Sequence, residues 1–264
     1  MIGAIIGDIA GSRFEFNNYR KKDFEMLSNK CFFTDDTIMT LAIAKAVMEY
    51  KKRDRMTDLS KLATKYMVEI GKHYPNSGYG GRFYNWIYGE PVPYNSFGNG
   101  AAMRVAACGL MADGIMEAIE MANEVTKVSH NHPEGIRGGC VVAACVYIAK
   151  HKHDKELIKT IVENNGYKLN FTIDEIRPTY QFNETCQDTV PQAIEAFLES
   201  TSFEDAIRIA VSVGGDSDTL AAITGSIASA YYGVPEYLEQ QAVSFLDDRL
   251  LAIYKETTEY IKKR

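Results

Sequence analysis

Two short acidic segments, far apart along the chain, contain the residues best suited to chemistry. They are residues 34–37 (TDDT) and residues 216–219 (DSDT), and each opens a stretch with the apolar spacing of a helix. Their carboxylates and hydroxyls are hard oxygen ligands, and neither segment contains sulfur, which suits Mg²⁺, Mn²⁺ or Ca²⁺ better than zinc or copper. If the fold brings the two segments together, they predict a metal-assisted active site.

Helix capping is the simpler interpretation of each acidic segment. Thr and Asp are favoured N-caps, and acids in the first turn of a helix are favoured by its dipole. Capping explains one acid in each segment but not two, because neighbouring carboxylates repel each other unless a cation is near. Residues 214–215 (GG) precede the second segment and would allow a tight turn and the close approach of a ligand. Both interpretations stay open for either segment taken alone.

A glycine-containing segment, residues 96–104 (SFGNGAAMR), leads into a further predicted helix. Its backbone amides could hold phosphate oxygens at the start of that helix. Gly-Asn-Gly by itself is more typical of an ordinary turn. Residues 129–133 (SHNHP) join two predicted helices and contain His130 and His132. Two histidines without further ligands are a weak metal signal, so we favour a substrate contact for His130.

Glu15 is a further candidate, because it follows Asp8 by seven residues. The two carboxylates would share one helical face if a helix ran that far. No cysteine has an activating neighbourhood and no serine lies in a nucleophile-elbow pattern, so covalent nucleophilic catalysis is disfavoured.

Composition limits the class of protein. The 264 residues are 46% hydrophobic, enough for a sizeable core in one large domain or two small ones. No run of about 18 apolar residues occurs, so no membrane span is expected. The apolar start lacks the basic residues of a signal peptide, and five cysteines without a CxxC pair predict reduced thiols in a cytoplasmic protein. The net charge of −6 argues against a nucleic-acid partner held by general electrostatics.

Helical periodicity dominates the chain and predicts one all-α domain over residues 1–264. The strand signal is limited to a brief alternation at residues 167–173 (YKLNFTI). The predicted helices cover residues 37–50, 59–70, 101–111, 115–128, 136–149, 193–198, 203–213, 220–232 and 235–263.

Taken in order, several segments closely resemble the ADP-ribosylglycohydrolase family, which includes dinitrogenase-reductase-activating glycohydrolases and ADP-ribosyl-acceptor hydrolases. The matching segments are GDIAGSRFE, FTDDT, SFGNGAAMR, SHNHPEGIRGG, DTVPQAIEAF and GGDSDTLAAITGSIA. The resemblance extends from about residue 2 to residue 233. It implies a compact orthogonal bundle of helices with two divalent ions, Mg²⁺ or Mn²⁺, in a central cleft.

The resemblance also implies roles for individual residues. The metal ligands would be Thr34, Asp35, Asp36, Asp216, Asp218 and Thr219. Catalysis would involve the acids Glu15, Asp35, Asp36 and Asp218. The ADP-ribose would be bound by Ser96, Phe97, Gly98, Asn99, Gly100 and His130, whereas Asp8 and Asn131 are matched less closely. The chain is shorter than its larger relatives, and residues 74–81 and 167–189 would shape the acceptor side of the cleft.

The expected activity is hydrolysis of the glycosidic bond between ADP-ribose and an acceptor, with ADP-ribosyl-arginine on a protein as the first choice. Serine-linked ADP-ribose, O-acetyl-ADP-ribose and an ADP-ribosylated nucleobase or small molecule stay open as substrates. A non-catalytic ADP-ribose-binding protein and a metal-dependent nucleotide phosphohydrolase are the alternatives from other classes. We expect a monomer or weak oligomer with no membrane partner.

Overall fold

The computed structural model describes residues 1–263, and all regular secondary structure in that range is helical. One isolated antiparallel bridge joins Gly98 to Thr185. The helices are α1 (Ile2–Ser12), α2 (Asp35–Lys52), α3 (Leu59–Gly71), α4 (Gly81–Tyr88), α5 (Gly100–Met103), α6 (Ala106–Met111), α7 (Ile115–Thr126), α8 (Pro133–His151), α9 (Lys155–Asn164), α10 (Ile173–Ile176), α11 (Cys186–Glu199), α12 (Phe203–Val213), α13 (Ser217–Tyr232), α14 (Glu236–Val243) and α15 (Asp248–Lys262). The expected all-α fold is therefore confirmed.

Helices α1 and α13 pack backbone to backbone at the centre of the molecule. A Cβ atom added to Gly7 would lie 2.0 Å from the carbonyl oxygen of Ala221, and one added to Gly3 would lie 2.0 Å from that of Gly225. A Cβ atom added to Gly11, one turn further along α1, would lie 2.5 Å from the Cα atom of Asp218. Only glycine permits such an approach, because any side chain would separate the two helices. This contact fixes the start of α13 against the end of α1.

The buried apolar surface forms one core around this central pair. All but one residue of α1 are buried, as is α13 from Ser217 to Ala228, and α13 contains the predicted helix at residues 220–232. Helix α2 packs against α1, α3 and α15 and buries most of its length. A helix that is apolar nearly all round belongs in the interior, whereas α9 and α12 are amphipathic and lie at the periphery.

Several boundaries differ from the predictions. The predicted helix at residues 101–111 is two helices, α5 and α6, which are separated at residues 104–105. The predicted helix at residues 235–263 is likewise divided into α14 and α15, and α1, α4, α9 and α10 were not predicted. Residues 167–173, where the sequence alternates briefly, form no strand. Tyr167 and Leu169 are buried alternately, as the pattern indicated, but no neighbouring strand pairs with them in the described chain.

Candidate active site

The two acidic segments meet at the N-terminal ends of α2 and α13. Asp35 and Asp36 form the first turn of α2, Asp216 is the N-cap residue of α13, and Asp218 lies in its first turn. The hydroxyl of Thr219 donates a hydrogen bond of 3.2 Å to Oδ2 of Asp36 and so joins the two helix starts directly. The structure thus brings together the distant acids that the sequence analysis singled out.

Asp8 of α1 holds the start of α2 in place. Its Oδ2 accepts hydrogen bonds from the backbone amides of Thr34 (2.9 Å) and Thr37 (3.0 Å), and its Oδ1 accepts one from the hydroxyl of Thr34 (2.7 Å). The hydroxyl oxygen of Thr34 also accepts from the amide of Asp36 as the N-cap of α2. Capping and the contact with Asp8 therefore account for the Thr34 hydroxyl, whereas the carboxylate of Asp36 contacts Thr219 of the other acidic segment.

Glu15 reaches the acidic set from a turn. Helix α1 ends at Ser12, so the argument that Asp8 and Glu15 share one helical face was wrong. The chain turns back through residues 13–18 instead, and Oδ1 of Asn18 accepts a hydrogen bond of 3.1 Å from the amide of Gly215. Carboxylate oxygens of Glu15, Asp216 and Asp218 then lie within 4.8 Å of one another.

The carboxylates are held in an environment that disfavours their charged forms. Burial, with repulsion from neighbouring carboxylates, raises the pKa of Asp35, Asp36 and Asp218 well above the usual range. The same causes raise the pKa of Glu15 to about 7, and burial raises that of Asp8 to about 6. Oδ1 of Asp36 is buried and makes no hydrogen bond within the described chain.

These observations test whether the residues fit a divalent cation, and they do. All the donors are hard oxygens, several are buried together, and one buried carboxylate oxygen lacks a partner. A cation would satisfy that oxygen and remove the repulsion among the acids. The residues best placed to hold it are Glu15, Asp35, Asp36, Asp216, Asp218 and Thr219.

A cavity of about 240 Å³ opens beside the acids. The glycine-containing segment forms one of its walls through Ser96, Gly98, Asn99 and Gly100, and His130 lies next to that wall. Phe97 is not part of the lining. The residue is 42% exposed, and its ring packs edge-on against that of His132 with the centroids 5.2 Å apart.

Asn99 connects the glycine-containing wall to the acids. Its Nδ2 donates to Oδ2 of Asp216 (2.6 Å) and to the hydroxyl of Thr189 (3.1 Å), and its backbone amide donates to the carbonyl of Glu184 (2.7 Å). The side chain of Asn99 therefore orients Asp216, and the residue also lines the cavity in which a substrate contact was expected.

The cavity also includes residues that the sequence analysis did not single out one by one. Part of the lining comes from residues 78–83 and another part from residues 182–184, in or next to the two regions assigned to the acceptor side. The amide of Asp35 donates to the carbonyl of Ser77 (2.8 Å), which holds the first of these regions against α2. The residues not singled out are Gly78, Gly80, Gly81, Arg82, Phe83, Tyr94, Met103, Arg104, Phe182 and Glu184. Arg104 ends the SFGNGAAMR motif, which was the one available signal for it.

Comparison with known proteins identifies the family. The sequence model of the ADP-ribosylglycohydrolase family matches residues 1–261. The chain belongs to this family. It is therefore a hydrolase of the ADP-ribosylglycohydrolase type, as the motifs indicated, and ADP-ribosylated molecules are its class of substrate.

Individual relatives agree with this assignment. The chain is 26% identical to ADP-ribosylhydrolase ARH3 of Xenopus tropicalis, over 88% of this chain and 86% of the relative. It is 28% identical to ADP-ribosylarginine hydrolase Tri1 of Pseudomonas putida, over 92% of this chain and 73% of the relative. A solved structure described as an ADP-ribosylglycohydrolase-related protein complex has the same fold, with a TM-score of 0.69, 21% identity and coverage of 97% of each chain. Among residues 1–263, no helix has the length and apolarity that crossing a bilayer requires.

Proposed function

We propose that this protein hydrolyses the glycosidic bond between ADP-ribose and an arginine side chain of a modified protein. The observation that carries the proposal is the convergence of Glu15, the α2 acids and the α13 acids beside the glycine-containing wall of one cavity. Backbone amides of such a loop suit a phosphate, and a neighbouring set of acids suits cleavage of a glycosidic bond close to a diphosphate.

Binding of the diphosphate is assigned to the glycine-containing wall. The amide of Asn99 is already bonded to Glu184, and the amide of Gly98 donates to Oγ of Ser96 (3.2 Å). The hydroxyl of Ser96 and the amide of Gly100 are the groups assigned to the phosphate oxygens. Binding energy gained there, remote from the bond that breaks, would orient the ribose toward the acids.

Glu15 is the candidate for the reacting centre. Departure of the acceptor builds positive charge on the ribose, which a nearby carboxylate stabilises. Glu15 could also take a proton from the attacking water, since burial and neighbouring acids raise its pKa to about 7. When bound, two Mg²⁺ or Mn²⁺ ions would supply Lewis acidity and neutralise the surrounding carboxylates. Asp36 and Asp218 would be among the ligands that hold those ions.

The acceptor side favours a cationic group. Glu184 lines the cavity close enough to contribute to the raised pKa of Glu15, and the rings of Phe16 and Phe182 stack at its edge with centroids 5.8 Å apart. Carboxylates and aromatic faces together suit a planar guanidinium. The relative from Pseudomonas putida is named as an ADP-ribosylarginine hydrolase, which supports the same acceptor.

A panel of defined substrates tests the proposal. Purified protein with Mg²⁺ is incubated with peptides that carry ADP-ribose on arginine or on serine, and with O-acetyl-ADP-ribose, and the products are identified by mass spectrometry. We expect free ADP-ribose from the arginine peptide, and loss of that product in Asp35→Ala and Asp218→Ala. Release of AMP or phosphate would instead support a phosphohydrolase, and tight binding of ADP-ribose without turnover of any substrate would support a binding protein.

A further inference from the structure

Arg104 is a fully buried cation at the end of α5 that forms no ion pair among the described residues. Its Nη2 donates a hydrogen bond of 2.8 Å to the hydroxyl of Ser129, and its guanidinium lies 5.4 Å from the centroid of the Phe83 ring. Nε and Nη1 make no hydrogen bond in the part of the chain that the structure describes. A buried charge with so few partners lowers the stability of the fold, which indicates a functional role for Arg104.

The hydrogen bonds around Arg104 determine the proton positions on His130. Oγ of Ser129 lies 2.8 Å from Nδ1 of His130, and Nη2 of Arg104 lies 3.5 Å from the same nitrogen. A guanidinium can only donate hydrogen bonds. Since Arg104 donates to the oxygen of Ser129, the single hydroxyl proton of Ser129 is available to Nδ1. A proton on Nδ1 would point at a cation, so Nδ1 is the acceptor and the ring proton belongs on Nε2.

The other ring nitrogen faces the glycine-containing wall. A Cβ atom added to Gly100 would lie 3.3 Å from Nε2 of His130, and one added to Gly98 would lie 3.5 Å from it. The ring is fixed by its neighbours, with the Phe83 and Tyr94 rings 6.0 Å and 5.7 Å away between centroids. No hydrogen bond within residues 1–263 uses Nε2, so its N–H is free for a ligand in the cavity.

We propose that Arg104 and Ser129 are positioning residues that hold His130 as the neutral Nε2–H tautomer, which donates a hydrogen bond to a diphosphate oxygen of the bound ligand. The second part of this proposal rests on the proposed function, whereas the tautomer itself does not. Burial and the charges of Arg104 and Arg82 lower the pKa of His130 well below its usual value, which agrees with a neutral ring. A donor fixed in this way loses no energy to reorientation when the anion binds.

The tautomer can be measured directly by NMR on the protein with ¹⁵N-labelled histidine at neutral pH and with Mg²⁺ present. The signals of His130 are identified from their absence in His130→Gln. We expect a protonated Nε2 and an unprotonated Nδ1 in the free protein. His132 is an internal reference, because its Nδ1 accepts a hydrogen bond from the amide of Glu134 and its proton must also be on Nε2. A proton on Nδ1 of His130, or a doubly protonated ring, would overturn the proposal.

Substitution then tests the positioning residues. Ser129→Ala removes the hydroxyl that donates to Nδ1, and we expect the His130 signals to move toward a mixture of tautomers while those of His132 stay unchanged. Arg104→Met has similar volume and removes the cation, and the same change is expected. If one variant fails to fold, the other still tests whether the contacts at Nδ1 set the tautomer of His130. Unchanged His130 signals in a folded variant would show that the substituted group does not set the tautomer and would overturn its assigned role.

Ligand binding provides the functional measurement. In Ser129→Ala we expect the Kd for ADP-ribose, by calorimetry, to rise about tenfold, with KM rising and kcat nearly unchanged because the diphosphate is bound alike throughout the reaction. Ser244→Ala is the matched control, because it changes an exposed hydroxyl whose one hydrogen bond within residues 1–263 is to the carbonyl of Gln241. Equal Kd values for the two variants would refute the assigned contact. If the native protein has the expected tautomer but does not bind ADP-ribose, the proposed function fails and the tautomer assignment stands.

Discussion

The hydroxyl of Thr219 donates a 3.2 Å hydrogen bond to the carboxylate of Asp36, although the two residues are 183 positions apart. Each belongs to the first turn of a helix, and the contact therefore aligns the N-terminal ends of α2 and α13. Both helix dipoles direct their positive ends at the same acids, which offsets part of the cost of gathering them. Repulsion among the carboxylates remains, and a bound cation would relieve it.

Divalent cations should stabilise this protein. We expect millimolar Mg²⁺ or Mn²⁺ to raise Tm, because a cation removes repulsion among the buried acids. A concentration 100 times the Kd corresponds to about 2.7 kcal/mol. Differential scanning fluorimetry with and without chelator measures the shift. Asp218→Asn is the control and should respond weakly to metal. An equal Tm with metal and with chelator would show that the acids do not form a cation site.

Asp8 should contribute to stability through the start of α2. Asp8→Ala would leave the buried amides of Thr34 and Thr37 without acceptors, which we expect to cost about 2–4 kcal/mol in the free energy of unfolding. Asp8→Asn keeps one carbonyl oxygen for the two amides and should cost less. Urea denaturation of both variants provides the comparison, and equal losses would show that the hydrogen bonds are not the cause.

The contact between α1 and α13 should not tolerate a methyl group. In Gly7→Ala the new Cβ would meet backbone atoms of Ala221, which cannot move aside as a flexible side chain would. We expect a loss of more than about 2 kcal/mol of stability, or failure to fold. Gly81→Ala is the matched control for stability, because a Cβ there meets no atom within 4 Å. Similar denaturation midpoints for the two variants would contradict the close approach.

An ion-pair cluster away from the cavity should give a pH-dependent stability. Nζ of Lys51, a side chain only 3% exposed, lies 2.8 Å from Glu117, which also pairs with Arg55. Although burial acts in the opposite direction, hydrogen bonds from the Asp113 amide and Lys51 lower the pKa of Glu117 below its ordinary 4.5. An acid with a lowered pKa stabilises the fold fully above its ordinary value, and the stabilisation is lost as the pH falls through the lowered value.

The measurement compares the native chain with Glu117→Gln. We expect the variant to be less stable at pH 7 and the difference to narrow as the pH falls below 4.5, since the native carboxyl is then protonated. Denaturation curves at several pH values give the difference directly. A difference that is constant with pH would show that the charge of Glu117 does not contribute.

The local structure was largely predictable from the sequence. Apolar spacing predicted α12 at its observed bounds and α3 within one residue, because amphipathic helices repeat their buried positions every three to four residues. Helix α1 was not predicted as a helix, since three glycines and Asp8 interrupt its apolar run, and those glycines make sense only beside α13. The chain breaks between α5 and α6 at residues 104–105, where the side chain of Arg104 is buried, and the apolar spacing did not indicate this break.

The chemical character of the site was also determined by the sequence alone. Two Asp-rich helix starts, a glycine-containing loop and Glu15 indicate hard-cation and phosphate chemistry, because the ligand preference of an oxygen or an amide does not depend on the fold. Tertiary structure decided which of those groups remain available. In the folded chain the hydroxyl of Thr34 hydrogen-bonds to Asp8, and the side-chain amide of Asn99 hydrogen-bonds to Asp216. A turn places Glu15 beside the acids. Such assignments depend on contacts between residues far apart in the chain, which sequence spacing does not encode.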